Sequence, residues 1–407
     1  MEYTPTPTPP TTPLTFAALH ACFATLPDPR RAQGRRFPLA ALLTLAVAAI
    51  LANHLSVLAI AEWGAAQCDD IRRALGFSGD TMPHQTTLHR LFARLDAHLL
   101  AALVRAVAVT HPNAPLVAPG VRGQQGVAVD GKAHRGRLAG QPLVACPIHM
   151  LSAVCHETGL VLAQMPVTAT GDKAAAELAT VPALIACLDW QGRVLTGDAL
   201  YCQRSLCQQI VDAGGDYLVL VKANQPALLH DIATLFAHRA DRALNAASLP
   251  AQDMREAITT NRGHGREEQR TLLASTDLND YLDWPAVAQV CRVERVWQER
   301  GVTRAAMKYA ITSLPPTVAD AARLLMLKRE HWRIENGLHH VKDVTLGEDA
   351  SMVRLGQGPN VLAILRDTAL NLLRARGCRT IAARLRAHCR HPDALLAFLG
   401  LPLPQHA

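Results

Sequence analysis

A mixed α/β unit with a β-rich insertion, preceded by an all-helical region, is the architecture this sequence predicts, on three observations. Up to about residue 110 the apolar positions recur at three- and four-residue spacing, as helices require. The Pro-rich run HPNAPLVAPG, residues 111–120, then ends that pattern. Beyond it short β-like runs alternate with helical ones, and two of those runs close on an aspartate.

Composition bounds the reading. The chain has 407 residues, 49% hydrophobic and 18% charged, which is a globular balance and excludes a disordered or collagen-like protein. At roughly 150 residues per domain it should form two or three domains. A net charge of +7 favours an anionic partner, nucleic acid first. The most apolar stretch, Leu39–Ala52, runs into Asn53 and His54 and is too short for the ~30 Å of a bilayer, so a buried helix and no membrane partner are expected. MEYTPTPTPPTTP, residues 1–13, reads as a disordered tail without the pattern of a secretory signal. The ten cysteines include no paired C-x-x-C set, so reduced thiols are expected, and neither disulfides nor a structural zinc.

Residues 14–110 carry two strongly periodic stretches, ALLTLAVAAILANHLSVLAIAEW and TTLHRLFARLDAHLLAALVRAVAV. Between them SGDTMPHQTTLHRLF supplies turn residues before a helix, with Thr86 or Thr87 near its cap and His89, Arg90 and Arg94 inside. It reads either as a helix-turn-helix or as an ordinary bundle surface. Residues 111–375 open with strands GVAVD, IHMLSAVCH and GLVLAQMPVTA. Helix DKAAAELATVPALIACL, strand RVLTGD, helix CQRSLCQQIVDAG and strand DYLVLVKAN follow. An antiparallel meander followed by crossovers is the layout of a ribonuclease-H-like fold. From about 225 to 315 a polar helix and the runs GHGREEQRTLLAS, VAQVCRVERVWQERG and RAAMKYAITSL predict an inserted β-rich lobe. A long helix from about Thr317 then carries REHWRIENGLHHVKD, the turn-rich LGEDASMVRLGQGP precedes another helix, and residues 376–407 form a helical tail.

Asp130 ends GVAVD and Asp198 ends RVLTGD, so both carboxylates should emerge at the carboxyl edge of the sheet, where α/β ligand sites collect. Oxygen donors of that kind suit a hard divalent cation. On a regular helix Glu335 shares a face with His331, His339 and Lys342, a ridge that offers a third carboxylate and cations for phosphate. A solvated helix face, or a zinc site of His331, Glu335 and His339, are the other readings of that ridge; the latter lacks H-E-x-x-H spacing and leaves both aspartates without a role. Cys202 and Cys207 read as packing thiols.

VAVDGKAHRGR, LTGDALYCQ, YLVLVKANQPAL, GHGREEQR, YAITSL and HWRIENGLHHVKDVTLGEDASMVR resemble the ordered motifs of insertion-sequence DDE transposases of the H-repeat-associated kind. The resemblance also takes in DPRRAQGRRFPLAALLTLAVAAILA and MPHQTTLHRLFARLD, which are similar to that family's associated N-terminal domain. It implies a ribonuclease-H-like domain in which Asp130, Asp198 and Glu335 bind two divalent ions, magnesium with manganese able to substitute. The implied reaction is cleavage at element ends and strand transfer into target DNA, by a homodimer on paired ends, in the cytoplasm at the nucleoid. The wider group places Tyr seven before the Glu, Arg four before and Lys seven after; here Lys328 and His331 replace the first two, and Lys342 fits the third. Expected DNA contacts are Lys132, Lys222, Asn224, Gln225, His264, Arg266, His331 and Lys342, with Trp297 a candidate for stacking on a flipped base. A catalytically silent DNA-binding descendant, or a metal-dependent nuclease without strand transfer, are the alternatives.

Overall fold

The computed structural model describes residues 15–109, 122–123, 125–133, 149–167, 172–244, 253–263, 266–299 and 301–401. The expected tail and the Pro-rich break lie outside them. The N-terminal region is helical, with α1 Phe16–Ala24, α2 Leu39–Leu51, α3 Val57–Ala65, α4 Asp69–Ala74, α5 Gln85–Arg94 and α6 Ala97–Val109. Thr15 caps α1 by accepting from the Ala18 amide at 3.1 Å, and Ser56 caps α3 in the same way at 3.0 Å. At α5 the cap is His84, whose Nδ1 accepts from the Thr86 amide, rather than either threonine.

Ala32–Leu51 is long and apolar enough to cross a membrane by composition, yet all thirteen residues of α2 are buried inside the protein. This helix packs against α1, α3 and α11, Gly358–Ala375, and α11 also packs against α5 and α6. One continuous core therefore runs from Phe16 on α1 through α11 to Leu399. The expected C-terminal tail is folded onto it as α12 Ile381–Arg390 and α13 Pro392–Leu399, with His388 Nδ1 3.2 Å from the Leu51 carbonyl.

The sheet has nine strands: β1 Gln125–Ala133, β2 His149–Cys155, β3 Val161–Pro166, β4 Arg193–Gly197, β5 Asp216–Val221, β6 Arg255–Gly263, β7 Arg266–Ser275, β8 Gln289–Glu299 and β9 Val302–Thr312. Their order is β3-β2-β1-β4-β5-β9-β8-β7-β6. β1, β2 and β3 pair antiparallel, whereas β1, β4 and β5 run parallel through α7 Lys173–Ala186 and α8 Arg204–Asp212. That is the meander-then-crossover order the sequence predicts.

The β-rich segment is not a separate lobe. After α9 Pro226–Leu244, its strands continue the same sheet, because β9 pairs with β5 through Leu218–Thr312 and Val221–Tyr309. One end of each long strand is core: Leu272–Ala274, Val290–Cys291 and Ala310–Ile311 are buried. The other end projects, so that residues 302–308 of β9 are exposed. β6 is a strand that the sequence does not signal, since its alternation REAITTNRG is polar on both faces.

Candidate active site

Asp130 lies on β1 and Asp198 directly follows β4, so neighbouring parallel strands deliver both carboxylates to one edge. Gly131 is required beside the first. A Cβ there would collide with the Glu177 carboxylate and, at 2.5 Å, with His149. Glu177, on α7, is buried and holds three partners: His149 Nε2 at 2.8 Å, Lys173 at 3.5 Å and the Tyr201 hydroxyl, which donates at 3.1 Å. Burial, with the like charges of Glu177 and Glu335 nearby, pushes Asp130 up to about 7.

Asp198 is set differently. Its Oδ1 accepts from the Ala199 amide at 2.7 Å, opening the tight turn Ala199–Tyr201, and Lys222 lies at 3.0 Å. Burial opposes ionisation, but Lys222 and that amide outweigh it and hold the carboxyl below the usual range. Asn224 donates to the Ala199 carbonyl at 2.7 Å and Gln225 to that of Cys202 at 2.9 Å. Both amides thus fasten the turn that carries Asp198.

The expected long helix is broken. α10, capped by Asp320, spans Ala321–Glu330, and Ile334–His339 and Val341–Thr345 are π-helical. The wider turn rotates the ridge expected at four-residue spacing out of register, a distortion frequent at functional sites. Glu335 is exposed, and its Oε2 accepts from the Trp332 indole N–H at 2.7 Å. Trp332 itself is 60% exposed.

His331 is a correction to the sequence reading. Its Nδ1 lies 3.0 Å from the Thr196 hydroxyl, which also meets His156 Nε2 at 2.9 Å. Burial is the main cause that drives His331 down to about 4 and His156 to about 3. A neutral imidazole anchored to β4 is not a cation for phosphate. His339 likewise falls to about 3 through burial and the nearby Lys342 and Lys132, with its Nδ1 3.7 Å from Asp130 Oδ2. Among the described residues no three His, Cys, Asp or Glu side chains converge closely enough to hold a metal ion, which leaves the zinc reading without support and leaves Asp130, Asp198 and Glu335 apart as well.

Lys132 and Lys342 are further corrections, because carboxylates from distant parts of the chain enclose both. Lys132 Nζ meets Asp343 at 2.5 Å, Glu348 at 3.1 Å and Asp349 at 3.7 Å. Lys342, 1% exposed, meets Asp367 at 2.9 Å and Glu348 at 3.4 Å. Trp297, half-buried on β8, lies under the Arg295 guanidinium at 4.5 Å. Arg266 opens β7, and His264 lies outside the described residues. Cys202 and Cys207 are buried thiols.

The buried pair on Thr196 sets an acid limit. Because both imidazoles titrate below the ordinary value near 6.5, the unfolded chain binds protons first as pH falls. The contribution of this pair is full above about pH 6.5 and is expected to fall by several kcal/mol towards pH 4. Urea midpoints across that window check this, and His156→Gln should flatten the fall.

Residues 122–372 match the family model described as Transposase DDE domain, and residues 20–107 the one described as DDE_Tnp_1-associated. YncI of Escherichia coli O157:H7, which carries a transposase name, is 30% identical over 263 residues, 63% of either chain. A protein encoded in the dhlA 3' region of Xanthobacter autotrophicus is 30% identical over 300 residues, 72% of this chain and 92% of its own. YhhI of Escherichia coli K12, named as an H repeat-associated transposase, is 27% identical over 234 residues, 56% of this chain and 58% of its own.

Proposed function

This chain belongs to the transposase DDE-domain family, and from that premise we propose that it cuts the ends of an insertion sequence and joins them to target DNA. The observation that carries the reading is the delivery of Asp130 and Asp198 to one sheet edge by adjacent parallel strands, with Glu335 near enough to raise Asp130. Asp130 and Asp198 at one edge, with Glu335 as a third acid, are the hard oxygen donors a divalent cation takes; the three do not converge closely, Asp198 being held by Lys222 and Glu335 by Trp332, and they are the residues that would hold magnesium or manganese. Bound there, such ions would activate a water or a 3′-hydroxyl and neutralise the leaving oxygen.

The chain's own groups set the frame. Lys222 keeps Asp198 ionised, Asn224 and Gln225 fix its turn, and the Trp332 indole orients Glu335. Lys222, half-exposed beside Asp198, is the cation of the expected set best placed to meet a phosphate. A homodimer on paired ends, and end recognition by the N-terminal helices, are part of the proposal. Because α2, α5 and α6 share a core with α11, deleting residues 1–110 would expose that core, so recognition is better tested by charge removal at the exposed Arg90 and Arg94.

The test is cleavage and joining of labelled DNA bearing the element's own ends. Activity should require magnesium and be absent in Asp198→Ala. Specific binding without cutting by the wild-type protein would favour the silent descendant; cutting without joining would favour the nuclease.

A further inference from the structure

One face of the projecting ribbon is basic and continues to the carboxylate edge. Pairing aligns Arg270 on β7, Arg295 on β8 and Ala306 on β9, while the next row towards the core holds Leu272, Val293 and Lys308. Side chains two apart on a strand share a face, so Arg270, Arg295 and Lys308 project together. α10 packs on that same face, where Leu324 and Leu325 join Leu272, Val293, Ala310 and Ala199 in one apolar cluster. Lys328, near the end of α10, therefore comes down beside the three strand cations.

The charges do not balance. Glu268 pairs with Arg270 and, at 2.7 Å, with Arg295, while Asp198 is held by Lys222 at 3.0 Å. Burial and the neighbouring Lys308, Arg270 and Arg295 drive Lys328 down to about 8, the mark of cations crowded on one another. Val221 of β5 pairs with Tyr309 of β9, so Lys308 lies beside Lys222, which holds Asp198 at 3.0 Å, and the cluster adjoins the catalytic edge. Donors on the face are enclosed without protein acceptors: Arg295 Nε and Asn261 Nδ2 have no hydrogen-bond partner, although Asn261 Oδ1 accepts from Arg329 at 3.1 Å. Cations in excess on one face are what phosphodiester oxygens neutralise.

The geometry points to a phosphate seat on this face, formed by Arg270, Arg295, Lys308 and Lys328, that takes the DNA backbone beside the Asp198 edge. It rests on the transposase reading and adds to it a surface outside the expected set of DNA-binding residues. Trp297 lies one row farther out on the same face, opposite Arg304, so DNA seated here would run past its ring.

The experiment measures binding of a fluorescein-labelled duplex of arbitrary sequence to the full chain in EDTA, across a series of KCl concentrations. Lys308→Gln combined with Arg295→Gln is expected to weaken binding severalfold and to lower the log–log salt slope by about 2, at roughly 0.9 for each phosphate no longer neutralised. Lys308 is exposed, so Lys308→Gln alone keeps the test open if the double variant folds poorly; it should lower the slope by about 1, and Lys308→Arg should restore it. Arg262→Gln, on the opposite face, should leave the slope unchanged. An unaltered slope in the Lys308 variants, or an equal fall in Arg262→Gln, overturns the seat while leaving the transposase reading intact. Salt-insensitive or absent DNA binding by the wild-type protein overturns both.

Discussion

Asp130→Asn is expected to cut metal-dependent strand cleavage by roughly a thousandfold, the worth of several kcal/mol of charge stabilisation at the reacting phosphate. The fold should not suffer. In metal-free protein Asp130 sits at about 7, above its unfolded value of 3.8, so its ionisation opposes folding. The sign follows directly: stability is lost as pH rises from about 4 to 7, because the unfolded chain releases its proton first. The amide removes this penalty. Asp130→Asn should therefore be at least as stable as wild type at pH 8 in EDTA, with a gain of at most a few kcal/mol since the carboxylate is partly exposed, and should not melt at a lower temperature. Adding magnesium or manganese should raise the wild-type melting temperature and leave that of the variant unchanged. A variant that melts well below wild type in EDTA, or that still responds to metal, would contradict this account of Asp130.

Lys342→Met is expected to have the largest effect on stability, about 3–5 kcal/mol, because it removes the lysine that pairs with the buried Asp367 at 2.9 Å. Asp367 and Glu348 are fully enclosed, and Lys132 already serves Glu348 from the other side. Methionine fills a similar volume, so the loss measures charge rather than a cavity. Combining Lys342→Met with Asp367→Leu should recover part of the loss in urea unfolding, since both members of one pair are then apolar. An exposed phosphate-contacting lysine would instead give a change within about 0.5 kcal/mol. Equal urea midpoints for wild type and Lys342→Met would sink the buried network.

The two lysines show why part of the site is illegible in the sequence. Lys342 matches a signature position where phosphate contact is expected, and nothing local says that it is buried. Its partner Asp367 lies 25 residues on, and the Lys132–Glu348 bond joins residues 216 apart. Ion pairs of that separation leave no periodicity. His331 misleads for a similar reason: its polar neighbours on the ridge suggest an open face, whereas Thr196 of β4 captures the ring. Glu177 gives no signal because one acid in an Ala-rich helix reads as surface, and only the packing of α7 turns it towards Gly131 and Tyr201.

What the sequence alone determined is whatever short-range pattern encodes: helical periodicity up to about residue 110, the strand–helix alternation, the buried α2, and the apolar strands that carry Asp130 and Asp198, although β1 runs on to Ala133 and Asp130 lies within it rather than closing it. Local propensity, turn residues and ordered motifs suffice for these, since each depends on neighbours a few positions away. Only the tertiary structure decided that the β-rich segment extends the main sheet, that the N-terminal helices share their core with α11, that the Glu335 segment is π-helical, and which cations face solvent. Those outcomes turn on strand pairing, burial and charge neutralisation between residues remote in the chain, and such long-range terms write no spacing into the sequence.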